Sequence, residues 1–323
     1  MFSHKYSLVI CIYTLVLPSS CVVKDILTSA IGISGIAPDY QNKINLILYQ
    51  GLSVQNAKSY KYSLAESTEL KNHLDIKLPF VLYVHGFIEH YSNESVQTII
   101  SAYLQKGADN IVILDWSAFS YENYAILSKR IKTISMFTAR ALEDLAKAEI
   151  LNVDTLHIVS HSLGSHLAGF LGRFLSFTIP RITALDPANP LFYQLNAEHI
   201  DNSSAEIVDV IHTDGGMYGA NPRTGTIDFF ANGGIRPQPG CPAIGMCNHH
   251  RSWRFYSESV LNDTAFPGLA CASFEDFKAE KCKENEIVYF GYSMTAKRSG
   301  GAYYFTTNKA SPYGKGSDGL KYV

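Results

Sequence analysis

The sequence predicts an α/β fold, a mostly parallel central sheet flanked by helices in a single domain. Short β-branched apolar runs alternate with longer amphipathic stretches, and no low-complexity linker or internal repeat divides the chain. The run at residues 155–173, TLHIVSHSLGSHLAGFLGR, breaks at Ser160-His161-Ser162-Leu163-Gly164 and resumes as a helix lined with small residues. At 323 residues the chain is long enough to bury a large core.

Near the N-terminus, Lys5 precedes an apolar run at 8–17 that is too short to span a bilayer and is followed by Pro18-Ser19-Ser20-Cys21. That is the layout of a secretory signal peptide at 1–21. Cleavage after Cys21 would leave Ser19 and Cys21 as the small residues the peptidase reads, and 22–323 as the mature domain. After a glycine-containing lead-in at 30–38, residues 44–49 alternate polar and apolar and read as a strand, and 80–84 is a stronger one ending in His85-Gly86-Phe87. A helix is expected at 95–105, a strand at 111–114 closing on Asp115-Trp116, and an amphipathic helix at 131–150. Residues 156–159 form the next strand. In the helix that follows, Gly164, Ala168, Gly169 and Gly172 share a face that would let it approach the sheet closely. Strands follow at 182–185, ending at Asp186-Pro187, and at 207–211, ending at His212. From Thr213 onward glycine, proline and asparagine dominate. Residues 213–225 and 232–245 read as surface loops around a short strand at 226–230, and such loops border sites rather than pack cores. An aromatic strand at 302–307 precedes a polar tail expected to be loose.

A formal net charge of -2 offers no basic excess and argues against nucleic acid as a partner. Removing the signal peptide takes Cys11 and Cys21 and leaves Cys241, Cys247, Cys271 and Cys282. An even number in a secreted chain favours disulfides, and of the three possible pairings the sequence-local ones are expected, Cys241 with Cys247 and Cys271 with Cys282. Asn93, Asn202 and Asn262 head N-glycosylation acceptor triplets.

A sharp strand-to-helix turn lifts a serine hydroxyl out of the fold and aims the positive end of the helix at any oxyanion formed there, so Ser162 is the candidate nucleophile. Here G-x-S-x-G reads S-x-S-x-G, with Ser160 in the first glycine's place. A serine in such a turn is as often a plain turn residue, so its partners decide. An activated serine needs a base, an acid to orient the base, and donors for the negative oxygen of a tetrahedral intermediate. Asp186, directly after a strand, is a candidate acid, although a turn-capping aspartate would look the same. His199, His212, His249 and His250 all follow it, which suits the order serine, acid, histidine. His249 and His250 fall in a loop after Cys247 where a disulfide could hold an imidazole over the serine, and His212 reads as structural. The oxyanion donors would be the backbone N–H groups of Phe87 and Leu163.

Taken together, Val84-His85-Gly86-Phe87, Leu114-Asp115-Trp116, His161-Ser162-Leu163-Gly164, Leu185-Asp186-Pro187-Ala188, Val210-Ile211-His212-Thr213, Asp228-Phe229-Phe230 with Asn232-Gly233-Gly234, and Cys247-Asn248-His249-His250-Arg251 resemble the pancreatic lipase family in order and spacing, over residues 44–307. Each piece alone is a weak signal and the combination is highly specific. The resemblance implies an α/β-hydrolase fold with Ser162 as nucleophile, Asp186 as acid and His249, the histidine of C-x-H-x-R, as base. It also implies Phe87 and Leu163 as the oxyanion amides.

The resemblance is to the single-domain arthropod branch that includes venom phospholipases A1. The family's lid lies between two cysteines that match Cys241 and Cys247, and only residues 242–246 separate them. Such a short lid, with a compact 213–225 loop, implies a site open to a bulky polar head group. The chain ends near the close of the family's catalytic domain, so no C-terminal lipid-binding domain and no colipase are expected. The family's calcium site is poorly matched between Phe192 and Ala205, with Asp201 as its one candidate remnant, and neither metal nor cofactor is expected. These features lead to the expectation of a secreted phospholipase A1, with triacylglycerol or galactolipid lipase as the alternative. An inactive lipid-binding or yolk-like storage protein is the reading from another class.

Overall fold

The computed structural model describes residues 39–294 and 300–322, so the expected signal peptide and the 30–38 lead-in lie outside the described residues. In chain order the helices are α1 (Tyr40–Lys43), α2 (Glu94–Lys106), α3 (Ser117–Ser120), α4 (Tyr124–Lys147), α5 (Leu163–Phe174), α6 (Cys247–Leu261) and α7 (Phe274–Lys278). The strands are β1 (Asn45–Gln50), β2 (Lys58–Ser63), β3 (Phe80–Val84), β4 (Asn110–Asp115), β5 (His157–His161), β6 (Arg181–Leu185), β7 (Ile207–His212), β8 (Ile227–Ala231), β9 (Pro267–Ala270), β10 (Ile287–Tyr289) and β11 (Gly301–Phe305). They form an 11-stranded sheet in the order β10-β9-β11-β8-β7-β6-β5-β3-β4-β1-β2.

From β4 to β11 along this order every neighbouring pair is parallel, while β1 and β2 at one edge and β9 and β10 at the other pair antiparallel. The mostly parallel sheet is the predicted architecture, and the layering of helices on both sides of it follows from burial on both faces. Leu82 and Val84 of β3 join the core that α4 and α5 complete, whereas Val81 and Tyr83 of the same strand join the core that α2 and α6 complete. A strand whose successive side chains enter two different cores is apolar at every position, which is why β3 and β4 stand out in the sequence.

Several expectations need correction. The long helix starts at Tyr124 rather than 131, because Asn123 caps it by accepting from the Ala125 N–H at 3.0 Å, and it ends at Lys147 rather than 150. The short strand expected at 226–230 is present as Ile227–Ala231, fully buried and paired in parallel with both β7 and β11. The tail is not loose. Glu258 of α6 accepts from the Tyr313 and Gly314 N–H groups at 2.7 Å each, and Thr306 donates its N–H to the Gly319 carbonyl at 2.8 Å. Both expected disulfides, Cys241–Cys247 and Cys271–Cys282, are present. Asn202 and Asn262 are exposed, whereas Asn93 is half-buried at the N-cap of α2, where its Oδ1 accepts from the His90 N–H at 2.7 Å.

The small-residue face of α5 works differently from the expectation. A methyl on Gly164 would meet the Val84 and His85 carbonyl oxygens at 2.5 and 2.4 Å, so the helix start does press against the end of β3. Gly169 and Gly172 instead press against the chain at Ile200 and Ser204, where added methyls would fall 2.7 Å from Ile200 Cα and 1.8 Å from the Ser204 carbonyl oxygen. Gly172→Ala should therefore destabilise the fold by about 1–3 kcal/mol. The expected result is a lower denaturant midpoint at unchanged slope, and an unchanged midpoint would contradict the contact.

Candidate active site

At the C-terminal end of β5 the chain turns into α5 within a single residue. Ser162 takes φ 54° and ψ -122°, a backbone state costing a non-glycine residue on the order of 1–3 kcal/mol. Three backbone hydrogen bonds hold it: its N–H donates to the Leu185 carbonyl at 3.1 Å, and its own carbonyl accepts from the N–H groups of Ser165 at 3.0 Å and Ala188 at 3.2 Å. Ser160 fits the first glycine's place because its side chain is buried inward, where its hydroxyl reaches the Thr183 carbonyl and Ser165 Oγ, each at 3.3 Å. Leu163 is the first residue of α5, so its N–H has no intrahelical acceptor and points out of the helix start.

Across from it, the turn after β3 is anchored at nearly every polar atom. The His85 carbonyl accepts from Trp116 Nε1 at 3.1 Å, the Gly86 N–H donates to Glu89 Oε2 at 2.5 Å, and the Ile88 N–H donates to the Ser120 carbonyl at 3.0 Å. Between them the Phe87 N–H carries no hydrogen bond among the described residues. A methyl on Gly86 would fall 3.1 Å from Ser162 Cβ, so this turn lies directly against the elbow.

Asp186, directly after β6, is fully buried and has φ 50°. Its Oδ1 accepts from the Thr213 and Asp214 N–H groups at 2.8 and 3.1 Å, and its Oδ2 is 2.5 Å from His249 Nδ1. With Asp186 ionised, Nδ1 is the donor and Nε2 is left as the basic nitrogen. Ser162 and His249 line the same cavity of about 610 Å³, with no direct hydrogen bond between the serine hydroxyl and the imidazole. The cavity walls are largely apolar, formed by Phe87, Ile88, Tyr124, Pro190, Tyr218, Met246 and Trp253.

Of the other candidate bases, His250 also lines the cavity, and burial and its histidine neighbours hold it down to about 4, so it is neutral near pH 7. His212 is buried in the sheet. Burial opposes its charge, but the Asp228 carboxylate 2.9 Å from its Nε2 raises it above the usual histidine range, which marks a structural ion pair. His199 lies outside the cavity with Nδ1 2.6 Å from the Ala197 carbonyl. His249 and His250 do not sit in a loop. They occupy the first turn of α6, so adjacent residues diverge by helix geometry, and only His249 meets Asp186. That helix was legible in the buried spacing of Ser252, Tyr256 and Ser259 with Trp253 and Val260, but the polar start at Asn248-His249-His250-Arg251 masks it.

Two arrangements escaped the sequence reading. Glu89 is buried and accepts from Gly86, from the Ser95 hydroxyl and, at 3.2 Å, from His161 Nδ1. Burial alone would push its carboxyl up, but the imidazole of His161, helped by His85 and Ser95, outweighs this and holds it well below the usual carboxylate range. Asp214 is also fully buried, and both its oxygens take Arg236, Nε and Nη2, at 2.6 Å. Donor atoms of Asp186, Asp214 and His249 lie within 4.8 Å of one another, a spacing that could hold a cation, but here the first and last bond each other and the guanidinium of Arg236 supplies the positive charge. Asp201 pairs with Arg173 at 2.8 Å.

The protein-family model described as Lipase matches residues 33–313. Pancreatic lipase-related protein 2 of Cavia porcellus is 33% identical over 260 residues, 76% of this chain and 58% of that protein. Pancreatic triacylglycerol lipase of Sus scrofa is 32% identical over 256 residues, 71% of this chain and 56% of that protein. The chain thus spans little more than half the length of these relatives. Among solved structures, an alpha/beta hydrolase enzyme from a Medee basin deep-sea metagenome library is similar at 18% identity and a TM-score of 0.35, covering 55% of this chain and 73% of that one.

Because the folded carboxyl of Glu89 lies below its unfolded value, its contribution is fully present above the unfolded pKa and is lost as pH falls toward the folded one. Glu89→Gln should be less stable than the parent by about 1–3 kcal/mol near neutrality, with the gap narrowing as pH drops below about 4.5. Denaturant unfolding of both proteins across that range measures it; a gap independent of pH would contradict the ionised pair.

Proposed function

The chain belongs to the lipase family, and from that premise we propose that it is a secreted serine hydrolase of lipid carboxyl esters, acting through Ser162, His249 and Asp186. One observation carries this reading: the Asp186–His249 hydrogen bond of 2.5 Å stands on the same cavity as a serine held at a positive-φ elbow. In this mechanism Nε2 of His249 takes the Ser162 proton as the hydroxyl oxygen attacks the acyl carbonyl carbon. Asp186 meanwhile holds the ring in the Nδ1–H tautomer and stabilises the imidazolium. The N–H groups of Phe87 and Leu163, both without a competing acceptor, stabilise the tetrahedral oxyanion, a donation worth on the order of 10² to 10³ in rate for each group. Collapse passes the proton to the leaving alcohol and leaves an acyl-serine, which water, deprotonated by the same imidazole, hydrolyses to the free fatty acid.

The partner proposed is an acyl lipid at a membrane or lipid-particle surface. In support, Ile88, Tyr218 and Met246 line the cavity and yet expose 52%, 38% and 42% of their surface. Extracellular localisation is proposed on the two disulfides. Phospholipid, cleaved at the first acyl position, is the favoured substrate. The segment closed by Cys241 and Cys247 separates them by only 6 positions and is too short to roof the cavity against a head group. Triacylglycerol is the second reading, favoured by the printed names of the relatives. An inactive storage role is disfavoured by the complete serine, histidine and aspartate set at the cavity.

Purified protein is expected to release the first-position fatty acid from phospholipid vesicles faster than fatty acid from emulsified triacylglycerol. Ser162→Ala should fold normally, lose on the order of 10³-fold or more of this activity and resist fluorophosphonate labelling. Labelling that survives in the variant would remove Ser162 as the nucleophile, and faster release from triacylglycerol would replace the substrate.

A further inference from the structure

Two carboxylates, not one, stand beside the imidazole of His249. Asp186 bonds it directly, and Asp214, fully buried, brings a carboxylate oxygen within 4.8 Å of the same cluster while its own N–H donates to Asp186. Two adjacent buried anions would hold a proton on the imidazole too tightly for a base that must release it. Arg236 is the group that answers the second charge. Its Nε and Nη2 make a two-point pair with Asp214 at 2.6 Å each, its Nη1 donates to the Ala243 carbonyl at 3.1 Å, and its guanidinium lies 5.2 Å from the Tyr218 ring. One side chain therefore joins the turn after β7, the segment between Cys241 and Cys247, and a wall of the cavity.

We propose that Arg236 is a positioning residue for the reaction: by neutralising Asp214 it leaves Asp186 as the single effective counter-charge of His249, and it holds the 242–246 segment at the cavity edge. This rests on the reading of Ser162, His249 and Asp186 as a catalytic set. The remaining ionisable groups around that pair do not duplicate the role. Facing His249 are His161, already paired with Glu89, and His250 and Tyr218. Near Asp186 are His212, paired with Asp228, and Tyr193, whose hydroxyl accepts from Thr224.

The pH dependence of fluorophosphonate labelling at Ser162 tests this without a lipid interface. Labelling needs neutral His249, so its rate falls on the acid side. In Arg236→Met the uncompensated Asp214 favours the imidazolium, and the acid limb should move up by about one pH unit. Arg236→Met combined with Asp214→Asn, which removes both charges, should return the limb to the parent position, and Arg236→Lys should keep it close to there. Asp214→Asn alone leaves the guanidinium unmatched and should move the limb down, so the sign survives even where Arg236→Met does not fold. An acid limb at the parent position in Arg236→Met and Asp214→Asn alike would overturn the inference. A parent protein that is not labelled at Ser162 at any pH would instead overturn the catalytic reading beneath it.

Discussion

The site depends on how closely the first turn of α5 comes to the end of β3. Gly164 leaves no room for a side chain between the helix and the Val84 and His85 carbonyls, so the chain must reverse direction within one residue on leaving β5. That reversal puts Ser162 in a positive-φ state, exposes the Leu163 N–H at the helix start, and brings the turn at Gly86 to within van der Waals distance of the serine. Strain at one residue is sustained because the Leu185 and Ala188 backbone bonds and the glycine contacts over-determine it.

Charge at this end of the sheet follows one pattern. Three buried carboxylates, Asp186, Asp214 and Glu89, each face one cationic or proton-sharing partner: His249, Arg236 and His161. An unpaired charge beside an apolar cavity would cost several kcal/mol, so each pair is a condition for building the cavity there at all. The partners come from different strands and loops. Packing therefore ties the turn after β3, the elbow and the disulfide-closed segment into one unit with little freedom to drift apart.

Legibility in the sequence tracked the physical origin of each element. Strands β3 to β7 were readable because burial on both faces makes them continuous apolar runs, and the elbow because glycine and serine spacing there answers to local dihedral demands. β2 was not, since Lys58–Ser63 is a polar edge strand recognisable only through its pairing with β1. The start of α6 looks like loop in the sequence because its first turn is built from residues whose burial comes from the site, not from helical amphipathicity. The tail after β11 looked loose because its order comes from Glu258, far away in sequence.

The sequence by itself determined the class of fold, the turn that bears Ser162 and the two disulfide pairings, and through resemblance it led to the expectation of His249 rather than His250 as the base. All of these rest on periodicity, on short-range spacing, or on motifs whose order along the chain survives without coordinates. Only the tertiary structure decided that Glu89 meets His161 and that Arg236 meets Asp214. Ion pairs between loops depend on which strand ends the sheet order places side by side, and nothing in the spacing of residues along the chain encodes that neighbourhood.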